Sequence, residues 1–240
     1  MPAYALFVSL HVGAGVVALA TFWLAAALRK GSPAHRLSGK VYLCAMTAII
    51  ATGFPLVIQR LVEDQVVTAT FLAYLLVITA TGVWVSWRAI RDKHDVARFT
   101  GPVYVALAIL SLASGLGVLA LGIKVGAPLL MGFSGVGLLA GMGMLRKRRN
   151  RVALAQRPRW WLSEHYTGML GNFVATHIAF LSIGLPKLLP MLDGVVLNYA
   201  SWFGPLLLAG LAKFWLDRRW SPRPSQTSPS LSQPSPVPRL

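Results

Sequence analysis

Apolar residues along this chain come in long unbroken runs, at about residues 3–28, 41–59, 66–87, 102–123, 127–145, 162–186 and 196–216. A water-soluble fold alternates apolar with polar positions to keep one face wet. These runs do not alternate, and they approach the roughly 20 residues that cross a hydrocarbon core of about 30 Å. Each run must be helical, because a span in lipid satisfies its own backbone hydrogen bonds, and the strands of a barrel would alternate in polarity. The pattern predicts an all-α, polytopic transmembrane helix bundle of about seven helices, forming one domain over residues 1–218. The first run ends at Arg29-Lys30 and has no basic start, so it reads as a retained span and not as a signal peptide. The Ser/Pro-rich stretch 219–240 lacks the apolar content to order itself and is expected to be a disordered cytoplasmic tail.

Charge then orients the spans. Arg29, Lys30, Arg36 and Lys40 fill the first loop, and Arg88, Arg91, Lys93 and Arg98 the third. The fifth carries Arg146 to Arg149, Arg151, Arg157 and Arg159, and the tail starts with Arg218 and Arg219. The even loops hold only Arg60, Lys124 and Lys187, diluted by Glu63, Asp64 and Asp193. The positive-inside rule places the odd loops and the tail in the cytoplasm and the N-terminus outside, in a bacterial cytoplasmic membrane. Trp23, Trp84, Trp87, Trp160, Trp161, Trp215 and Trp220 fall near the same ends, as an interfacial belt would.

Composition agrees. The chain is 55% hydrophobic and only 12% charged, about half the charged fraction of a soluble domain. A net charge of +16 would suggest nucleic acid in a soluble protein. Here the basic residues sit in short loops, so the expected partners are the lipid bilayer and its anionic headgroups, with no nucleic acid. Oligomeric state stays open. Cys44 is the only cysteine, so no intrachain disulfide or cysteine-built metal site exists.

An internal repeat runs through the chain. Arg36-Leu37-Ser38-Gly39-Lys40-Val41-Tyr42 returns as Arg98-Phe99-Thr100-Gly101-Pro102-Val103-Tyr104, with a weaker copy at His165-Tyr166-Thr167-Gly168. It suggests three repeated helical hairpins, spans 1–2, 3–4 and 5–6, plus one more helix. At a cytoplasmic helix start, Arg36 and Arg98 would contact lipid headgroups, the Gly would permit close helix approach, and the Tyr would lie at headgroup level. Gly137 and Gly141 make the small-xxx-small pattern of close packing.

Chemistry has few candidates. No carboxylate falls in the middle of a span, Glu164 being nearest, which counts against proton- or sodium-coupled transport. No hydrolase or nucleotide-binding pattern occurs. Histidines remain. His11 and His177 lie at similar depth, about 12 Å from the outer ends of spans one and six, and form a candidate outer pair. His35 and His165 lie at the cytoplasmic interface and form an inner pair; His94 lies in the third loop, solvated. Paired histidines from different helices are what axial ligation of a b-type haem (haem iron as the metal) requires, and two depths suit electron transfer across the membrane. On an ideal helix, however, His165 and His177 point about 120° apart. The plainer alternative is that His11 and His177 hydrogen-bond between helices. Met169, Asn172 and Thr176 share a face of span six and could line a cavity for a lipid or quinone.

Three readings follow: haem- or quinone-linked transmembrane electron transfer, a carrier or channel for a small neutral or lipid-like solute, or a membrane scaffold or assembly factor. For the last, the tail is the sole hint.

Leu10-His11-Val12-Gly13, His35-Arg36-Leu37-Ser38-Gly39-Lys40-Val41-Tyr42 and His165-Tyr166-Thr167-Gly168-Met169-Leu170-Gly171 through Phe180 together resemble a bacterial family of membrane proteins known only as a domain of unknown function. The family shows a His-Arg-x-x-Gly-x-x-Tyr entry to span two, and the resemblance covers most of residues 5–185. It implies a multi-pass membrane protein without an assigned activity. It favours His11, His35 and His165 as shared residues, because the family pattern has a Thr where His177 stands.

Overall fold

The computed structural model describes residues 2–191 and 194–220. Of the tail expected at 219–240, Arg219 and Trp220 belong to the last helix, while the part from Ser221 onward, like Asp193 of the last even loop, lies outside the described residues. Among the described residues seven helices are long and apolar enough to cross a membrane, and the chain is an all-α bundle with the build of a multi-pass membrane protein.

The chain begins with α1 (Pro2–Ala27), turns at Gly31, and enters α2 (Pro33–Val62). Ser32 caps α2 by accepting the His35 backbone N–H, and Pro33 occupies the first turn, where its missing N–H is harmless. The helix therefore starts eight residues before the apolar run does. His35 and Arg36, expected in a loop, stand in its first turn. Hydropathy locates the stretch that lipid must cover, whereas capping locates where the helix starts.

Next come α3 (Val66–Arg91), the single turn α4 (Val96–Phe99), α5 (Pro102–Val125) and α6 (Pro128–Arg149). Gly126 ends α5 in a left-handed conformation, its N–H bonded back to Gly122 and Ile123, and Pro128 opens α6. After the short α7 (Arg151–Ala155) comes α8 (Trp160–Ala179). It widens into a π turn at Phe180–Gly184 and continues as α9 (Leu185–Leu188). Pro186 explains the widening: it offers no N–H, and its ring would collide with the carbonyl one regular turn back. The last helix is α10 (Val195–Trp220).

Packing departs from the even rhythm of the sequence repeat. α1 lies along α2 and α5 along α6, while α8 has α3 as its main partner and α10 rests on α8. The α5–α6 contact uses the glycines that the sequence singled out. A Cβ on Gly137 would stand 2.8 Å from the Ser111 carbonyl, and one on Gly141 would stand 2.6 Å from that of Ala108. The repeat glycines are less uniform: Gly39 faces open space, Gly101 precedes the start of α5, and only Gly168 makes a tight helix contact.

Two expectations about aromatic residues change. Tyr42 and Tyr104, placed by the sequence at headgroup level, are completely buried. Trp160 is buried too, while Trp87, Trp215 and Trp220 stay exposed. Their positions on the helices satisfy an interfacial pattern; neighbouring helices cover them.

Candidate functional site

α2, α3 and α8 meet along a column of polar side chains that starts at the end of the bundle bearing the basic loops. His35, Ser38 and Tyr42 recur on one face of α2, and His165, Gly168, Asn172 and Thr176 on one face of α8. Between α8 and α3 the backbones nearly touch. A Cβ on Gly168 would lie 2.7 Å from the Gly82 carbonyl oxygen and 2.9 Å from the Ser86 nitrogen.

His35 and His165 open this column. His35 Nδ1 lies 3.0 Å from the Ala25 carbonyl, one of the acceptors left free at the C-terminus of α1. His165 Nδ1 lies 3.0 Å from the Ser86 carbonyl. A carbonyl only accepts, so both Nδ1 atoms carry the proton and donate, which leaves each Nε2 as a lone pair. Neither Nε2 has a hydrogen-bond partner among the described residues. Both rings stand at the same end of the polar column, His35 against the end of α1 and His165 against α3.

His11 is held in the same manner. The Thr52 hydroxyl gives its proton to the Ala48 carbonyl at 2.7 Å, so it accepts from His11 Nδ1 at 3.0 Å. His177 differs. Its Nδ1 donates to the Phe173 carbonyl at 2.8 Å, and its Nε2 accepts the Trp23 indole N–H at 2.9 Å. Phe173 covers the ring at a centroid distance of 3.9 Å. Both nitrogens are in use. Trp23 also stands 12 residues, about 18 Å of helix, from His11. The outer pair is therefore not brought together: His11 is anchored on α2 and His177 on α1. The offset between His165 and His177 persists, with His165 facing α3.

Met169, Asn172 and Thr176 are packed among α2 and α3. Asn172, fully buried, faces one turn of α3; with its amide turned so that nitrogen meets the Thr79 carbonyl, it donates there and accepts from the Val83 N–H, both at 3.1 Å. Thr176 donates to the Asn172 carbonyl and lies against Met46. A cleft of about 410 Å³ lies at the opposite end, between the π turn with α9 and the start of α10, with Ser182, Asn198 and Ser201 among leucines.

Arg36 is exposed. Arg98 is exposed as well, but its Nε lies 3.5 Å from the buried carboxylate of Asp92, which Arg88 also holds. Sequence reading missed two cross-helix links at the same end. Lys147 of α6 pairs with buried Glu164 of α8 at 2.7 Å. Tyr166 of α8 donates to Asp217 of α10, which also pairs with Lys213. Lys147 was hidden in a run of identical charges; the Lys213–Asp217 spacing of four was the legible signal.

Among the described residues no group of three or more His, Cys, Asp or Glu gathers to hold a metal. Comparisons with protein families, curated proteins and solved structures return no match. Function is therefore argued from the site itself.

Proposed function

We propose that this protein is an electron-transfer protein of a bacterial cytoplasmic membrane that holds a b-type haem between His35 and His165. The basic end would face the cytoplasm. One observation carries the reading: two imidazoles from different helices at the same end of the bundle, each tied through Nδ1–H to a backbone carbonyl and each with an Nε2 that has no partner among the described residues. That tie sets the tautomer and ring orientation and raises the basicity of the ligating nitrogen, as in metal-bound histidines generally. The haem would supply one-electron chemistry at its iron. The chain would supply the rest, with Ala25 and Ser86 holding the rings, and the tight α3–α8 contact at Gly168 fixing the position of His165. Arg36 offers a free cation beside His35 for lipid phosphates. His177 has no place in this site, since a metal there would have to displace Trp23.

The test is an absorption spectrum of detergent-purified protein from haem-replete cells, oxidised and then dithionite-reduced. The expected result is a Soret band with sharp reduced α and β bands, lost in His35→Ala and His165→Ala and kept in His177→Ala. A featureless spectrum overturns the proposal.

The cleft beside α10 supports a second reading, a carrier for a small lipid-like solute such as a quinone. Its polar groups set among leucines suit an amphipathic ligand. Flux into proteoliposomes would distinguish this reading, and its absence across a broad solute panel would count against it.

A further inference from the structure

The basic end holds a second cluster that the histidine site does not use. α10 finishes with Phe214, Trp215, Arg218, Arg219 and Trp220, and Arg159 immediately precedes α8. The Arg159 guanidinium lies 5.7 Å from the centre of the Trp220 ring. That of Arg219 lies 5.9 Å from the same ring and 5.3 Å from Trp215. Among the described residues neither arginine has a carboxylate partner, whereas Arg60, Arg88 and Arg98 each have one.

Arg159 also adopts a left-handed backbone conformation, φ 56° and ψ 31°, which penalises any residue with a Cβ. A turn here would be easier with glycine. Strain kept at a charged residue points to a task for its side chain. Stacking on an indole leaves the in-plane N–H donors of a guanidinium directed away from the ring, where they match phosphate oxygens. From this point the exposed residues Leu207, Leu208, Leu211 and Trp215 run along α10 as an apolar track. A charged head beside a long apolar face is the shape of one ligand class.

We propose that Arg159, Arg219 and Trp220 form a headgroup site for an anionic phospholipid, whose acyl chains lie along α10. The site differs from the general attraction of a basic surface because both of its cations lie against the same indole ring.

The test uses full-length protein in phosphatidylcholine vesicles and compares retention of spin-labelled phosphatidylglycerol with spin-labelled phosphatidylcholine. Wild type is expected to prefer phosphatidylglycerol. Arg159→Gln with Arg219→Gln should lower that preference by about fivefold per arginine. Arg146→Gln with Arg149→Gln removes equal charge elsewhere at the same end and should lower it far less. Arg159→Gly relieves the backbone strain, so it should lose preference while melting no lower than wild type. Equal effects from the two double variants would overturn the site, as would no preference in wild type. Complete competition by inorganic phosphate would overturn the lipid assignment.

Discussion

Tyr74 and Tyr42 lie on neighbouring helices with both rings buried, yet among the described residues their hydroxyls are not equally well paired. Tyr74 donates to the Phe133 carbonyl at 2.6 Å and accepts the Gly137 N–H at 2.8 Å, bridging one turn of α6. Among the described residues the hydroxyls of Tyr42 and of its repeat counterpart Tyr104 complete no hydrogen bond of good geometry, although the Thr176 side chain lies close to that of Tyr42. A buried hydroxyl without a partner loses its hydration and regains nothing. Tyr42→Phe and Tyr104→Phe should therefore leave thermal stability in detergent unchanged or raise it. Tyr74→Phe should lower it by about 0.5–1.5 kcal/mol, the net value of an ordinary hydrogen bond. A loss in Tyr42→Phe as large as in Tyr74→Phe would show that its hydroxyl has a partner in the membrane. At this scale the sequence located the histidines along the helices but not the partners of their ring nitrogens. A tautomer depends on which acceptor the fold brings to Nδ1, and Ala25 and Ser86 are ordinary residues whose side chains signal nothing.

Elements are joined here by backbone approach and by polar side chains that reach across a turn. α8 meets α3 where Gly168 faces Gly82, and Asn172 bridges Thr79 and Val83 one turn further on. Without a hydrophobic force to drive helices together in lipid, such packing and hydrogen bonds carry much of the association. Gly168→Ala would press a methyl into backbone that cannot swing aside, and should cost about 1–3 kcal/mol by overpacking. Gly171→Ala meets nothing within 4 Å and should be neutral or slightly stabilising, since alanine favours helix. Equal melting temperatures for the two variants would show that α3 and α8 are further apart. The glycines of α6 were legible as packing residues from their spacing. Gly168 was legible only as part of a repeat whose other glycines, Gly39 and Gly101, do different work.

The whole bundle is polarised: four sets of cationic side chains gather at one end, and the opposite loops are nearly neutral. If the basic end is cytoplasmic, single cysteines introduced into a Cys44→Ala background will report it. Asp64→Cys, in the loop after α2, should react with an impermeant maleimide in intact cells. Lys93→Cys, in the loop after α3, should react only after permeabilisation. The reverse pattern would invert the topology.

The sequence by itself determined the helical class, the spans and the end at which positive charge collects. Those follow from one-dimensional quantities, apolar length and loop charge, that lipid and membrane potential read directly. Tertiary structure alone decided that α8 pairs with α3, that Tyr42 and Tyr104 face inward, and that His35 bonds to Ala25 and His165 to Ser86 while His177 goes to Trp23. In water an apolar stripe marks the buried face of a helix. In a bilayer the lipid-facing side is as apolar as the interior, so hydropathy cannot say which face meets a neighbour, and only the packed bundle decides it.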